Sequence, residues 1–331
     1  MLEQSMPKRS NASEFIKFAN INFPPECDFA CPQCCQYKPR EKSSESGAKE
    51  YVKFSEQYLK FLRLCNSLGA RTFAVMGEGE PLLHMDMLRT CIEKAHGLGM
   101  FTIIFTNGSK IDREKVAFFK IHDVSLVFNT PSLYPETYAQ LVGRKYSLEK
   151  IIGKLRLVLE IYGEDAMRKC GEYRVGRVAT NTVVNARNKA EIPLMEDRLK
   201  ALLGPLSKRI IKVINFPLKM GRAALDENKA IFAGRYENEY LEFMELARKY
   251  SDLHGPTALF AGKCGYLTQG ATIGYEGSII PCPYATAMTG RFGHIHEIDD
   301  ANALKEAILK VSESWAKLRG YCLMRAFQNE L

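Results

Sequence analysis

Cys27-Asp28-Phe29-Ala30-Cys31-Pro32-Gln33-Cys34 sets three thiols apart by three and then two residues, on a loop that follows the apolar run Phe18 to Phe23. At that spacing all three can converge on one small object. Cysteine thiolates are the usual ligands of a [4Fe–4S] cluster, and three of them leave one iron open to an exchangeable ligand. The competing chemistry is zinc, with Cys31-x-x-Cys34 as half of a ribbon. A ribbon needs a second close pair, and the remaining cysteines and histidines provide none nearby. The spacing therefore favours a cluster. Cys35 adjoins the triad, but a neighbour along the chain points elsewhere, so it reads as a packing thiol.

Outward from this loop the chain alternates between two periods. Leu59, Leu62, Leu64 and Leu68 fall close to helical spacing before Gly69, and Arg71 to Met76 is a short apolar run opening into Gly77-Glu78-Gly79-Glu80-Pro81. Lys38 to Lys53, between the cysteine loop and that helix, is rich in charge and serine and reads as an exposed loop. Helix patterns at Met87 to Leu98, Arg113 to Lys120, Leu148 to Tyr162 and Ile192 to Leu203 alternate with strand patterns at Phe101 to Phe105, Val124 to Phe128, Arg177 to Val184 and Ile210 to Phe216. With Ile16 to Phe23 as the first strand there are about six units. Such alternation implies βαβ units with a parallel sheet, too few for a closed eight-stranded barrel. The fold class is α/β, a partial (βα)6 barrel over residues 1–216. Ligands of parallel sheets bind at the carboxyl ends of the strands, and the Gly77 turn, Thr106-Asn107-Gly108 and Asn129-Thr130-Pro131 all fall there.

Residues 217–255 read as a linker and a helix, Tyr236 to Tyr250. From Pro256 the composition turns to glycine, tyrosine, threonine and short β-like runs, which predicts a small α+β domain over 256–331. Cys264 and Cys282 bracket a hairpin, Thr272 to Tyr275 and Ser278 to Ile280, with Glu276-Gly277 at its turn. Cys322 follows the helix pattern Ala303 to Leu318. Cys65 and Cys91 fall within predicted helices as core thiols. Cys170, in the polar loop Glu164 to Glu172, is the candidate radical relay or hydrogen donor, weighed against exposure by chance.

The first triad resembles the signature of the radical S-adenosylmethionine (radical SAM) enzymes, and the resemblance runs from about Ile16 to Cys322. It implies that Cys27, Cys31 and Cys34 hold a [4Fe–4S] cluster whose free iron binds the amino and carboxyl groups of SAM. One electron, from a flavodoxin- or ferredoxin-type donor, then cleaves SAM to a 5′-deoxyadenosyl radical. The residue before the third cysteine is usually aromatic and lies near the adenine; here it is Gln33, with Phe29 the candidate substitute. Gly77 to Pro81 resembles the Gly-Gly-Glu-Pro motif that meets the SAM amino group, with Glu78 in place of the first glycine and Gly79, Glu80 and Pro81 matching. Asn129 and Thr130 resemble a segment that approaches the SAM carboxylate and ribose, and Asn181 one that hydrogen-bonds the ribose; Asn107 joins these candidates. Met220-Gly221-Arg222-Ala223 resembles a loop of members with extra clusters. Cys264, Cys282 and Cys322 resemble the shorter, twitch-type relative of the SPASM extension, which holds one auxiliary [4Fe–4S] cluster.

The implied function is hydrogen abstraction by that radical, followed by two-electron oxidation of a small molecule such as a sugar or aminocyclitol, with the auxiliary cluster as electron acceptor. A peptide-modifying maturase and a redox-neutral reaction stand as alternatives, and an iron–sulfur or zinc binding module as the non-enzyme alternative. Only 26 residues precede Cys27, short for an N-terminal peptide-binding domain, which tilts the expectation to a small molecule. Ten cysteines in 331 residues are too few for a disulfide scaffold, and a reducing cytoplasm is expected. No apolar run is long enough to span a bilayer. The net charge of +8 is spread among acids, which argues against a nucleic-acid footprint.

Overall fold

The computed structural model describes residues 15–35, 47–170, 173–215, 217–218, 220–232, 236–252, 270–280, 282–284 and 292–316. In chain order these form β1 (Phe18–Ile21), α1 (Gly47–Ser67), β2 (Thr72–Val75), α2 (Met85–Gly97), β3 (Phe101–Thr106), α3 (Arg113–Ile121), β4 (Val124–Asn129), α4 (Pro135–Val142), α5 (Leu148–Tyr162), β5 (Met167–Cys170), β6 (Tyr173–Gly176), β7 (Val178–Val183), α6 (Met195–Leu203), β8 (Ile211–Asn215), α7 (Tyr236–Tyr250), β9 (Gly270–Ile273), β10 (Ile279–Ile280) and α8 (Ala301–Ala316). The parallel strands are short and rich in buried apolar residues, with Thr and Asn interspersed, as strands covered on both faces tend to be. The helices carry one apolar stripe each: Ile151, Ile152, Leu155, Val158, Leu159 and Tyr162 of α5 are all buried.

β1, β2, β3, β4, β7 and β8 lie side by side in that order, each parallel to the next. This is the six-stranded partial barrel that the alternation predicts. Side chains alternate between the two faces of a strand. On one face Val127, Ala179 and Val213 form a small apolar cluster with Ile103, Phe105 and Ile211. The main core, on the helix side, includes Phe73, Phe119, Phe128, Tyr138 and Tyr162. Two residues further along each strand, on the same face as the small cluster, come Asn107, Asn129, Asn181 and Asn215. One layer of this face is thus apolar and the next, at the carboxyl ends, is built of amides.

Three expectations change. The segment 47–53 belongs to α1 rather than to an exposed loop. Cys170 ends a strand, paired antiparallel with Tyr173 in a hairpin that leads into the amino end of β7, away from the carboxyl ends. The hairpin β9–β10, with Gly277 at its turn in a left-handed conformation (φ 91°), joins the main sheet itself. Phe18 to Ile21 of β1 pair in parallel with Gly270 to Ile273, so β1 is an interior strand.

Candidate active site

The cysteine loop, 24–35, leaves β1 and is fastened by most of the elements around the rim. Glu80 N–H donates to Glu26 O (2.7 Å), Ala30 N–H to Val142 O at the end of α4 (3.0 Å), and Ala223 N–H, beyond β8, to Cys34 O (3.2 Å). Asp28 accepts from Asn107 Nδ2 (2.7 Å) and Ser109 Oγ (2.6 Å) after β3, and Lys110 lies 3.7 Å away. Two glycines let the backbones close in. A Cβ on Gly79 (φ 65°) would fall 2.0 Å from Pro24 O, and one on Gly143 (φ 63°) would fall 2.1 Å from Ala30 O. The resemblance places the Gly77 to Pro81 turn against a ligand; Gly79 does line the cavity, yet its close approach is to the cysteine loop.

Glu80 completes this turn. Its carboxylate accepts from Thr106 Oγ1 (2.6 Å), Asn107 N–H (2.7 Å) and Leu82 N–H (3.1 Å), which joins the end of β2 to the end of β3. Burial raises its pKa to about 7, against the pull of those donors.

A cavity of about 200 Å³ opens inside this frame. Cys27, Cys31 and Cys34 line it, together with Phe29, Gln33, Gly77, Gly79, Glu80, Asn107, Asn129 and Asn181, so eleven of the fourteen residues expected at the first cluster and its cofactor share one wall system. Glu78, Pro81 and Thr130 do not line it. Pro81 opens a short 3-10 turn, and Thr130 N–H bonds Asn181 O (2.9 Å) while Thr182 Oγ1 donates to Thr130 O (2.7 Å), a strap between β4 and β7. Phe29 is buried against Tyr146, ring centroids 5.2 Å apart, so only part of it faces the cavity.

Sequence reasoning missed three features in or behind the wall. Asn215 Nδ2 donates to Asn181 Oδ1 (2.6 Å) and Asn181 Nδ2 to Asn129 Oδ1 (2.9 Å), a ladder of amides across β8, β7 and β4. The period of two places them together; only strand order makes them neighbours. Arg222, noted only as part of a loop motif, is the one cation among the described lining residues. Cys35 lines the cavity beside the triad instead of turning away, and its buried thiol lies within electrostatic reach of Cys34 and Cys282.

The donor set fits a cluster. Burial pushes the Cys27 thiol up to about 12 and the Cys31 thiol well above its ordinary value, the latter eased by Arg222. Such thiols ionise only against compensating positive charge, which bound iron supplies. Of the second cysteine set, Cys282 is buried just beyond β10, and its neighbours reach the cavity: Asn22 Nδ2 donates to Pro283 O (2.8 Å) and Tyr284 lines the wall. Cys264 and Cys322 lie outside the described residues.

Residues 21–174 match the model of the Radical SAM superfamily. That match spans a little under half of the chain, and the segment that carries the three thiols and the first strands of the partial parallel barrel is thus similar to a radical SAM domain. Solved structures agree on the fold. SuiB of Streptococcus suis bound to S-adenosylmethionine superposes with a TM-score of 0.58 at 16% identity, over 88% of this chain and 66% of that one. The same protein bound to its precursor peptide SuiA gives 0.55 at 15%, over 82% and 60%. The chain therefore spans three-fifths to two-thirds of SuiB. anSMEcpe with bound AdoMet and Cp18Cys peptide gives 0.59 at 14%, over 93% and 84%.

Proposed function

We propose that this chain is a radical SAM enzyme that reductively cleaves SAM, takes a hydrogen atom from a small molecule and completes a two-electron oxidation with an auxiliary cluster as electron acceptor. The observation that carries the first step is the convergence of Cys27, Cys31 and Cys34 on one cavity whose remaining wall is the carboxyl end of the barrel. When bound, the cluster and SAM supply a 5′-deoxyadenosyl radical. The chain's part is to bind and shield. The thiols of the loop would hold the cluster, the Gly77 to Glu80 turn would offer backbone groups to the SAM amino group, and the ladder of Asn129, Asn181 and Asn215 would face the ribose. Phe105, Val142 and Val183 line the same cavity and keep water from the reacting carbon.

The oxidative step is supported by Cys282, which sits where its neighbour Tyr284 reaches the cavity wall. An acceptor held there would be close to the substrate. The electron that starts the reaction would come from a flavodoxin or ferredoxin. A second reading, peptide modification, is favoured by the peptides held by SuiB and anSMEcpe.

Anaerobic reconstitution tests the reading. With dithionite and SAM the intact protein should release 5′-deoxyadenosine and methionine and hold about eight irons if both clusters are [4Fe–4S]. Changing Cys27, Cys31 and Cys34 to Ala should remove half of the iron and all of the cleavage. Cleavage that survives the triple change refutes the first site; iron near four per chain in the intact protein refutes the second.

A further inference from the structure

Three thiolates gathered in one cavity concentrate negative charge, and the carboxyl groups around them add to it. Asp28 stands on the cysteine loop itself and Glu80 at the end of β2, both within electrostatic reach of Cys27. Lys110, at the rim, is half-exposed and paired with Asp28 (3.7 Å). Arg222 is placed differently. It is half-buried, lines the cavity with Cys27, Cys31 and Cys34, and pairs with no carboxylate among the described residues. Backbone bonds fix its position: Gly221 turns in a left-handed conformation (φ 53°) just before it, Asn228 Nδ2 donates to Arg222 O (2.9 Å), and Ala223 N–H donates to Cys34 O (3.2 Å). The loop that carries the cation is therefore tied to the loop that carries the thiols, and the guanidinium lies within electrostatic reach of Cys31.

We propose that Arg222 is the counter-charge of the first cluster, a positioning residue that holds the cluster's reduction potential within reach of its electron donor. This rests on the reading of Cys27, Cys31 and Cys34 as the ligands of that cluster. Reduction moves one electron from a flavodoxin or ferredoxin onto the cluster; the donor is oxidised by that electron, and no bond forms or breaks in the step. The cluster then gains one negative charge inside a wall of apolar side chains and amides, where charges are little screened. A fixed positive charge beside it stabilises the reduced form more than the oxidised form. Net charge and hydrogen bonds at the sulfurs are what set the potential of such clusters. Arginine suits this place, because its guanidinium keeps its charge, is weakly hydrated and presents several donors. The consequence is that electron uptake depends on a side chain that need touch neither SAM nor the substrate.

The test is a redox titration of the anaerobically reconstituted protein followed by electron paramagnetic resonance. The signal read is the one that added SAM alters, titrated with SAM absent. Arg222→Gln should make this cluster about tenfold harder to reduce, a midpoint lower by about 59 mV for one electron. Arg222→Lys, which keeps the charge, should stay near the intact protein. Lys110→Gln removes a charge of the same sign at the exposed rim and should move the midpoint much less. An unmoved midpoint in Arg222→Gln, a Lys variant that falls as far as the Gln variant, or an equal fall in Lys110→Gln overturns the proposal. An unmoved midpoint with weakened SAM binding overturns it too, and makes Arg222 a host for the SAM carboxylate instead. The resonance comes only from chains that hold a cluster, so the midpoint decides even where a variant loads iron poorly. An iron-loaded intact protein without a SAM-altered signal overturns the reading of the cavity itself, whereas an unmoved midpoint overturns only the role of Arg222.

Discussion

Glu80 is a buried carboxylate that three hydrogen-bond donors hold and that pairs with no cation among the described residues. Its pKa rises from 4.5 to about 7, with burial the largest cause. Between those values the folded protein keeps a proton that the unfolded chain has released, so stability falls as pH rises through the window. The full loss is about 3 kcal/mol, at about 1.4 kcal/mol for each unit. Denaturant unfolding of the metal-free protein at pH 5 and pH 8 should show this fall, and Glu80→Gln should flatten it. A slope unchanged in the variant removes Glu80 as its source. Gly79 acts differently, through space that a side chain would occupy. Gly79→Ala should cost about 1 to 3 kcal/mol of backbone strain and press on Pro24 O, so iron content falls together with the unfolding midpoint. Full iron with only SAM affinity weakened would instead make Gly79 a ligand contact.

At the scale of elements, the site depends on strand order. Asn129, Asn181 and Asn215 come from β4, β7 and β8, and the ladder holds only while those strands stay in register, Asn129 opposite Asn181. Asn181 is the middle rung. Asn181→Ala leaves the amides on either side unpaired, and SAM affinity should drop about tenfold, equivalent to about 1.4 kcal/mol. Iron content should stay at the wild-type level, because the cysteine loop is tied to Glu80, Asn107, Val142 and Ala223 and not to the ladder. Equilibrium dialysis beside an iron assay checks both halves. Iron lost along with affinity would mean that the ladder supports the loop.

Across the whole molecule, the hairpin β9–β10 is part of the sheet that carries the site. β9 covers the free edge of β1, and Ala271, Ile273 and Ile279 are buried in the main core. Asn22, at the end of β1, bonds Pro283 O, and a Cβ on Gly77 would fall 2.7 Å from that same oxygen. A chain ended at residue 255 would expose an apolar interior strand, a surface prone to pairing with other chains. Such a truncation should aggregate, or unfold without a cooperative transition, when followed by sedimentation and circular dichroism. A soluble truncation with a sharp transition would make the hairpin a separable unit.

The sequence by itself determined the local chemistry and its order along the chain. The spacing of Cys27, Cys31 and Cys34 specified three convergent thiols, and alternating periods specified βαβ units whose carboxyl ends carry the polar turns. Hydrogen-bond donors, ring sizes and thiol spacing are short-range properties, so they can be read from neighbours in the chain. What the tertiary structure decided is which distant residues meet. Only strand order stacks three asparagines from β4, β7 and β8, brings Arg222 and Cys35 to the wall beside the triad, and turns Gly79 against Pro24. The pairing of β9 with β1 was hidden for the same reason: a strand of four residues states its own conformation but not its partner, which is chosen by packing across some 250 residues of chain.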